Sequence, residues 1–237
     1  MTRSKCTRSC LVLVPLLLSS IGCSVTQPAR QVTESGFLAD YSRLHTGSQD
    51  QAELVYIRSE VPWKSYTKML LDPVTVWRSV EVGSKGISQQ DAQAMADYFY
   101  TLIRAKFSQQ FELVRTPQPN TLRVAVALTQ LDKTDVVLDV ISTVEPHIRA
   151  ATSLYQLAAG GPTFEGSAAV EARITDAMTG QILAEGVDKR IGARTLNANS
   201  VKSWGDVENI MQYWVARSAF NLCRAQERSD CQNVVLP

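Results

Sequence analysis

Two histidines, five cysteines and a scatter of acids are the residues with chemistry to offer. His45 stands among Thr46, Gly47 and Ser48, and His147 follows Pro146. Neither has a second His or a Cys at the short spacing of a zinc site, so no metal and no cofactor is expected. Each reads as a solvated loop residue rather than a general base. No G-x-S-x-G elbow presents a serine nucleophile. Gly160-Gly161-Pro162 is a turn, because it lacks the Lys and Ser/Thr of a phosphate loop. Asp72 precedes Pro73, where a carboxylate is suited to capping a bulged backbone. Asp188-Lys189-Arg190 reads as a solvated strand end. Trp63, Trp77, Trp204 and Trp214 have rings able to stack on sugars, but core packing is the commoner use of such rings. Trp63 is the best glycan candidate, since Pro62, Lys64 and Ser65 give it loop surroundings. The chemistry expected is therefore non-enzymatic, with no catalytic residue to name.

The thiol of Cys23 is different, because of what precedes it. Arg3, Lys5 and Arg8 make a positive segment without an acid, Cys10 to Leu18 is apolar, and Ser19 to Gly22 is small up to the cysteine. This is the order of a secretory signal. Its apolar run is shorter than the roughly 20 residues of a spanning helix. Ser20-Ile21-Gly22-Cys23 resembles the lipobox of bacterial lipoproteins, with Ser20 in place of the usual Leu. The resemblance implies cleavage before Cys23 and acylation of both its thiol and its new amino group. Several acyl chains hold a protein stably where one does so marginally. Ser24, rather than an acid, implies the outer membrane, with the domain facing the periplasm. The competing readings are an uncleaved anchor or an ordinary signal.

Removal of residues 1–22 leaves 215 of 237 residues, enough for one sizeable core. Three positive charges leave with the signal, turning the +1 of the whole chain into −2. Such a balance gives no general attraction for nucleic acid. Cys6 and Cys10 also leave. Cys223 and Cys231, eight apart in a compartment that permits oxidation, are expected to form a disulfide, with two free thiols as the alternative.

The elements that position these residues follow from periodicity. Residues 23–35 are polar and read as a lipidated, flexible tether; residues 36–237 read as a single α+β domain. Leu54–Arg58 is a short strand. Lys68–Arg78 is β-rich but interrupted by Pro73, which suits an edge strand or two strands joined by a bulge. Ser88 and Asp91 approach a capping box, and Ala92, Met95, Ala96, Phe99, Ile103 and Phe107 recur at helical spacing over 88–108. Leu122 to Leu128 and Ala168 to Ile174 alternate as half-buried strands. Asp176 to Gly180 is a hairpin turn. A last helix begins near Ser203 and runs to about residue 225. The expected fold is a single antiparallel or mixed sheet of four to five strands, with two main helices on one face. Arg123, Glu171 and Arg173 suggest that the other face is wet.

Between two central strands lies a long stretch, Val136–Phe164, where a short turn would suffice. Asp139, Glu145 and Arg149 are its only charged residues. Pro146 divides it, so it reads as a partly helical apolar insertion. Its stripe at Ile141, Val144, Ile148 and Tyr155 is either a lid or, with Trp63, an interaction surface.

Phe37-Leu-Ala-Asp-Tyr41, Met69 to Val74 with Trp77, Ala96-Asp-Tyr-Phe99, and Asp176 to Gly180 before Ile182-Leu183 together resemble a bacterial envelope lipoprotein family catalogued as a domain of unknown function (DUF3313-like). The resemblance spans about residues 36–222. It implies a class without a mechanism. The element order is also loosely similar to curli-secretion lipoproteins and to lipoprotein activators of penicillin-binding proteins. The function expected is a lipid-anchored envelope protein that docks a partner protein or another copy. The alternative is a peptidoglycan-binding module or an activator of a cell-wall enzyme.

Overall fold

The computed structural model describes residues 26–29, 32–77, 87–133, 166–192 and 204–232. Its strands are β1 (Thr26–Pro28), β2 (His45–Thr46), β3 (Leu54–Ile57), β4 (Lys68–Leu71), β5 (Thr75–Val76), β6 (Glu112–Leu113), β7 (Thr121–Asp132), β8 (Ser167–Asp176) and β9 (Ile182–Gly192). The helices among the described residues are α1 (Gln89–Phe107), α2 (Gly205–Ala225) and a single 3-10 turn at Trp63–Ser65.

All nine strands join one mixed sheet in the order β2-β3-β9-β8-β7-β4-β6, with β1 also on β9 and β5 also on β7. This corrects the expectation of four to five strands. The long meander β7-β8-β9 is antiparallel, while β4 and β5 run parallel to β7. The strands beyond those expected, β1, β2, β5 and β6, are pieces of two or three residues, too short to show an alternation. They form because the edges of neighbouring strands, long β9 and β7 for β1 and β5 and short β3 and β4 for β2 and β6, offer unpaired backbone groups that these segments satisfy. Pro73 falls in the gap between β4 and β5, where its missing N–H costs no ladder bond.

Thr26–Pro28 lies inside the stretch expected to be a flexible tether. It is instead a paired strand, with Thr26 opposite Gly192 and Pro28 opposite Arg190.

Both helices lie on one face of the sheet. Met95, Phe99, Ile103 and Phe107 of α1 and Ile210, Met211, Trp214 and Leu222 of α2 share a core with Leu122, Val124, Val126, Leu128 and Val170. The ring of Phe99 meets that of Trp214 at 5.9 Å. Ser88 caps α1, its Oγ accepting from the N–H of Asp91 at 3.0 Å. Helix α2 starts on Trp204 without a side-chain cap, rather than on a box at Ser203, and ends at Ala225. Cys223, in its last turn, is joined in a disulfide to Cys231 past its end.

The opposite face is not wet over β8. Residues 35–41 cover it, and Glu171 beneath them is fully buried. The charge periodicity was misleading because a carboxylate can be buried wherever enough donors converge on it.

Candidate functional site

The described parts of the N-terminal segment, residues 26–29 and 32–53, are held to β8 and β9 by charged side chains on both faces of the sheet. On the helix face, Nε of Arg190 donates to Oγ1 of Thr26 at 2.8 Å and its Nη2 donates to the Thr26 carbonyl at 3.2 Å. The guanidinium lies 3.8 Å from the ring centre of Tyr213 on α2. Asp188, on the same side of β9, accepts from Nε1 of Trp214 at 2.6 Å and from the N–H of Glu53 at 3.1 Å. Burial pushes the Asp188 carboxyl up, against the opposing pull of Trp214 and Arg190. Burial likewise pushes the Arg190 guanidinium down. Asp188 and Arg190 are thus a buried clamp, not the solvated strand end expected.

On the other face, Glu171 accepts from the N–H of Ser35 at 2.9 Å, the N–H of Leu38 at 3.3 Å and the hydroxyl of Tyr41 at 2.6 Å. Burial and this carboxylate push the Tyr41 hydroxyl pKa up. Trp77 donates through Nε1 to the Ser35 carbonyl at 3.0 Å and meets Phe37 edge-on at 5.2 Å. Next along β9, Glu185 is buried with Nε of Arg43 2.9 Å from Oε2. That contact is not aligned as a hydrogen bond. Burial pushes the Glu185 carboxyl up, with Arg43 opposing.

Two of the concavities that adjoin α2 bear on function. One, of about 180 Å³, lies between the helices and the sheet among Phe99, Ile103, Val126, Val170 and Trp214, with Asp188 in its wall. The other is an open groove along β3, lined by Val55, Ile57, Phe220, Asn221, Arg224 and Asp50. Ile57 is 46% exposed there. β3 continues through Tyr56 and Ile57 beyond its pairing with β2, which ends at Val55. On the rim, Asp50 accepts from Nη1 of Arg217 at 2.7 Å.

The residues singled out from sequence scatter. Cys23, His147 and the stripe Ile141, Val144, Ile148 and Tyr155 lie outside the described residues. Trp63 is half-buried in the 3-10 turn, 6.5 Å from Tyr66, and its carbonyl accepts from Nε2 of Gln226. His45 is exposed on β2. Asp72 does not cap a bulge; both its oxygens accept from Nε of Arg123, at 3.1 and 2.9 Å. Asp176 organises its hairpin through Met178, Thr179 and the Tyr66 hydroxyl. Burial opposes ionisation of Asp176, but the hydrogen bonds from Thr179, Tyr66 and Met178 outweigh it and lower its pKa. The Tyr66 pKa is pushed up to about 12 by burial and by this acid. Gly180 closes the turn at φ +71°, where a side chain would be strained. Among the described residues no cluster of His, Cys, Asp and Glu could hold a metal. No helix there is long and apolar enough to cross a membrane. Of the clamp residues, Glu171, Asp188 and Arg190 read as solvated in the sequence, and Glu185 does not stand out there at all, yet all four are buried. Their one signal was charge inside the long strands β8 and β9, a signal that Arg173 and Lys189 carry as well.

Residues 33–218 match the model of the family described as Protein of unknown function (DUF3313). The chain belongs to that family. The matched span runs from just before the Glu171-bound strap to Ser218 on α2, so the DUF3313 domain includes both carboxylate clamps but not Thr26. Its span also contains β3 and most of α2, but not Phe220, Asn221 or Arg224 of the groove. No curated protein sequence matches this chain. Among solved structures, the PelC dodecamer from Paraburkholderia phytofirmans is similar at 10% identity and a TM-score of 0.38, covering 74% of this chain and 98% of that chain. A protein from Xanthomonas campestris, of the family model DUF330, is similar at 9% identity and a TM-score of 0.41, covering 73% and 95%. At such values neither likeness carries an inference for this DUF3313 member.

Proposed function

We propose that the protein is a non-enzymatic, lipid-anchored bacterial envelope protein whose acylated Cys23 enters the outer membrane and whose domain docks a partner protein in the periplasm. The observation that carries this reading is Ile57, a large apolar side chain left open in the groove beside Phe220 and Arg224. Aliphatic and aromatic surface with an arginine at its rim is the composition of a protein interface. The outer edge of β3 adds backbone groups for an incoming strand. Anchoring draws support from the clamp of Arg190 on Thr26. A pull on the N-terminus would act along β1 against its ladder with β9. The buried acids support a non-enzymatic role, since Asp188 and Glu171 are engaged in holding the chain's own segments.

The test is capture from crosslinked envelopes. The wild-type protein is expected to retain a defined partner, and Ile57→Asp to lose it while melting at the wild-type temperature. Undiminished capture by Ile57→Asp rejects the groove. Cys23→Ala is expected to block processing and release the protein from membranes; normal maturation of that variant rejects the anchor.

A further inference from the structure

We infer that one end of the sheet, marked by Trp204 and Lys133, rests against the headgroups of the bilayer that holds the lipid on Cys23. The inference rests on the lipid-anchored reading above and adds the orientation of the domain.

The sequence leaves only Ser24 and Val25 between Cys23 and Thr26. Three Cα-to-Cα steps reach about 11 Å at full extension. Headgroup layers are about 5–7 Å thick on each side of the hydrocarbon core. An acylated cysteine has its chains in the hydrocarbon, so Thr26 must stand close to the headgroup surface. A chain free to peel from the domain would relax this limit, but Thr26 is not free. It is almost wholly buried, it is paired with Gly192, and Arg190 grips its hydroxyl and carbonyl. Farther along, the N–H of Ala29 donates to the Lys189 carbonyl at 2.9 Å.

The register fixes which end of the fold this is. Gly192 ends β9, and Ser167, which begins β8, pairs with both Ile191 and Asp132 at the end of β7. Asp206 fills the space that a Cβ on Gly192 would need, which brings the start of α2 to the same place. The start of α1 is there too, since Lys133 lies 3.7 Å from Asp91. The Lys133 ammonium also stands 5.9 Å from the ring centre of Trp204. Indole and lysine suit a headgroup layer, the ring amphipathic and the amine attracted to anionic lipid. Three of the described acids at this end are engaged, and a fourth, Glu208 in the first turn of α2, is partly exposed. Asp206 accepts from the N–H of Gly166, Asp132 from Ser167 and Gln130, and Asp91 faces Lys133. Lys64 marks the opposite end, where Tyr66 reaches Asp176 at the hairpin.

The experiment uses full-length acylated protein reconstituted in vesicles of phosphatidylethanolamine and phosphatidylglycerol. Lysine acetylation is read by mass spectrometry, with intact mass reporting the acyl groups. Acetylation of Lys133 should fall several-fold on reconstitution while that of Lys64 holds. Lipids brominated near the headgroup should quench tryptophan emission, and Trp204→Phe should remove most of that quenching. Equal labelling of Lys133 and Lys64 in protein shown to be acylated overturns the orientation, as does quenching that survives Trp204→Phe. An unmodified Cys23 in the intact mass overturns the anchor itself, and the orientation with it.

Discussion

The hydroxyl of Tyr41 donates to Oε2 of Glu171 at 2.6 Å across 130 positions of sequence. Ser35 and Leu38 donate their N–H groups to the same carboxylate. Three donors make a buried charge tolerable, and in exchange the carboxylate lays residues 35–41 over β8. Glu171→Ala should therefore cost more than about 2 kcal/mol, because it orphans two N–H groups and a phenol. Urea unfolding measures the loss, and amide exchange at Leu38 should accelerate with it. A change within about half a kcal/mol would mean that the strap holds itself.

Phe99 joins the two helices to the sheet through its contact with Trp214. Phe99→Ala leaves a void beside the existing cavity of about 180 Å³. The expected loss is about 3–5 kcal/mol, as for other buried Phe truncations. Equilibrium denaturation checks it, with Tyr98→Ala, half-buried on the neighbouring position, as the milder comparison.

The Cys223–Cys231 bridge ties the end of α2 to the segment after it. Reduction should lower stability by about 2–3 kcal/mol on the chain-entropy view. Alkylation of unreduced protein should modify neither thiol. Quantitative alkylation of both without reductant would contradict the bridge.

Glu185 predicts a pH dependence. Its pKa is raised above the ordinary 4.5, first by burial, so the folded chain holds the proton more tightly than the unfolded one. Its favourable contribution is full below the unfolded value and is lost as pH rises through the folded value. Glu185→Gln should therefore gain stability relative to wild type as pH rises from about 4 to about 7. Melting curves across that range give the comparison, and a difference that stays constant with pH contradicts it.

Much of the frame is legible in the chain. The alternation of β7 and β8, the stripe and cap of α1, and the Asp176–Gly180 hairpin are local, since each depends on residues a few positions apart. The pairing of Cys223 with Cys231 is nearly local too, at a separation of eight. The composition and the segment before Cys23 carry the expectation of export and acylation by their residue order alone.

Tertiary structure decided the rest. Two-residue strands such as β2 and β6 have no period to read; they are strands only because a neighbouring edge accepts them. Thr26–Pro28 looked like tether because nothing nearby explains its order. The partner that holds it, Arg190, is 164 positions away. The side chains of Glu171 and Asp188 read as solvent-facing by local pattern, and only the donors brought to them make burial possible. A charge's location depends on what long-range folding places around it, and no local period encodes that.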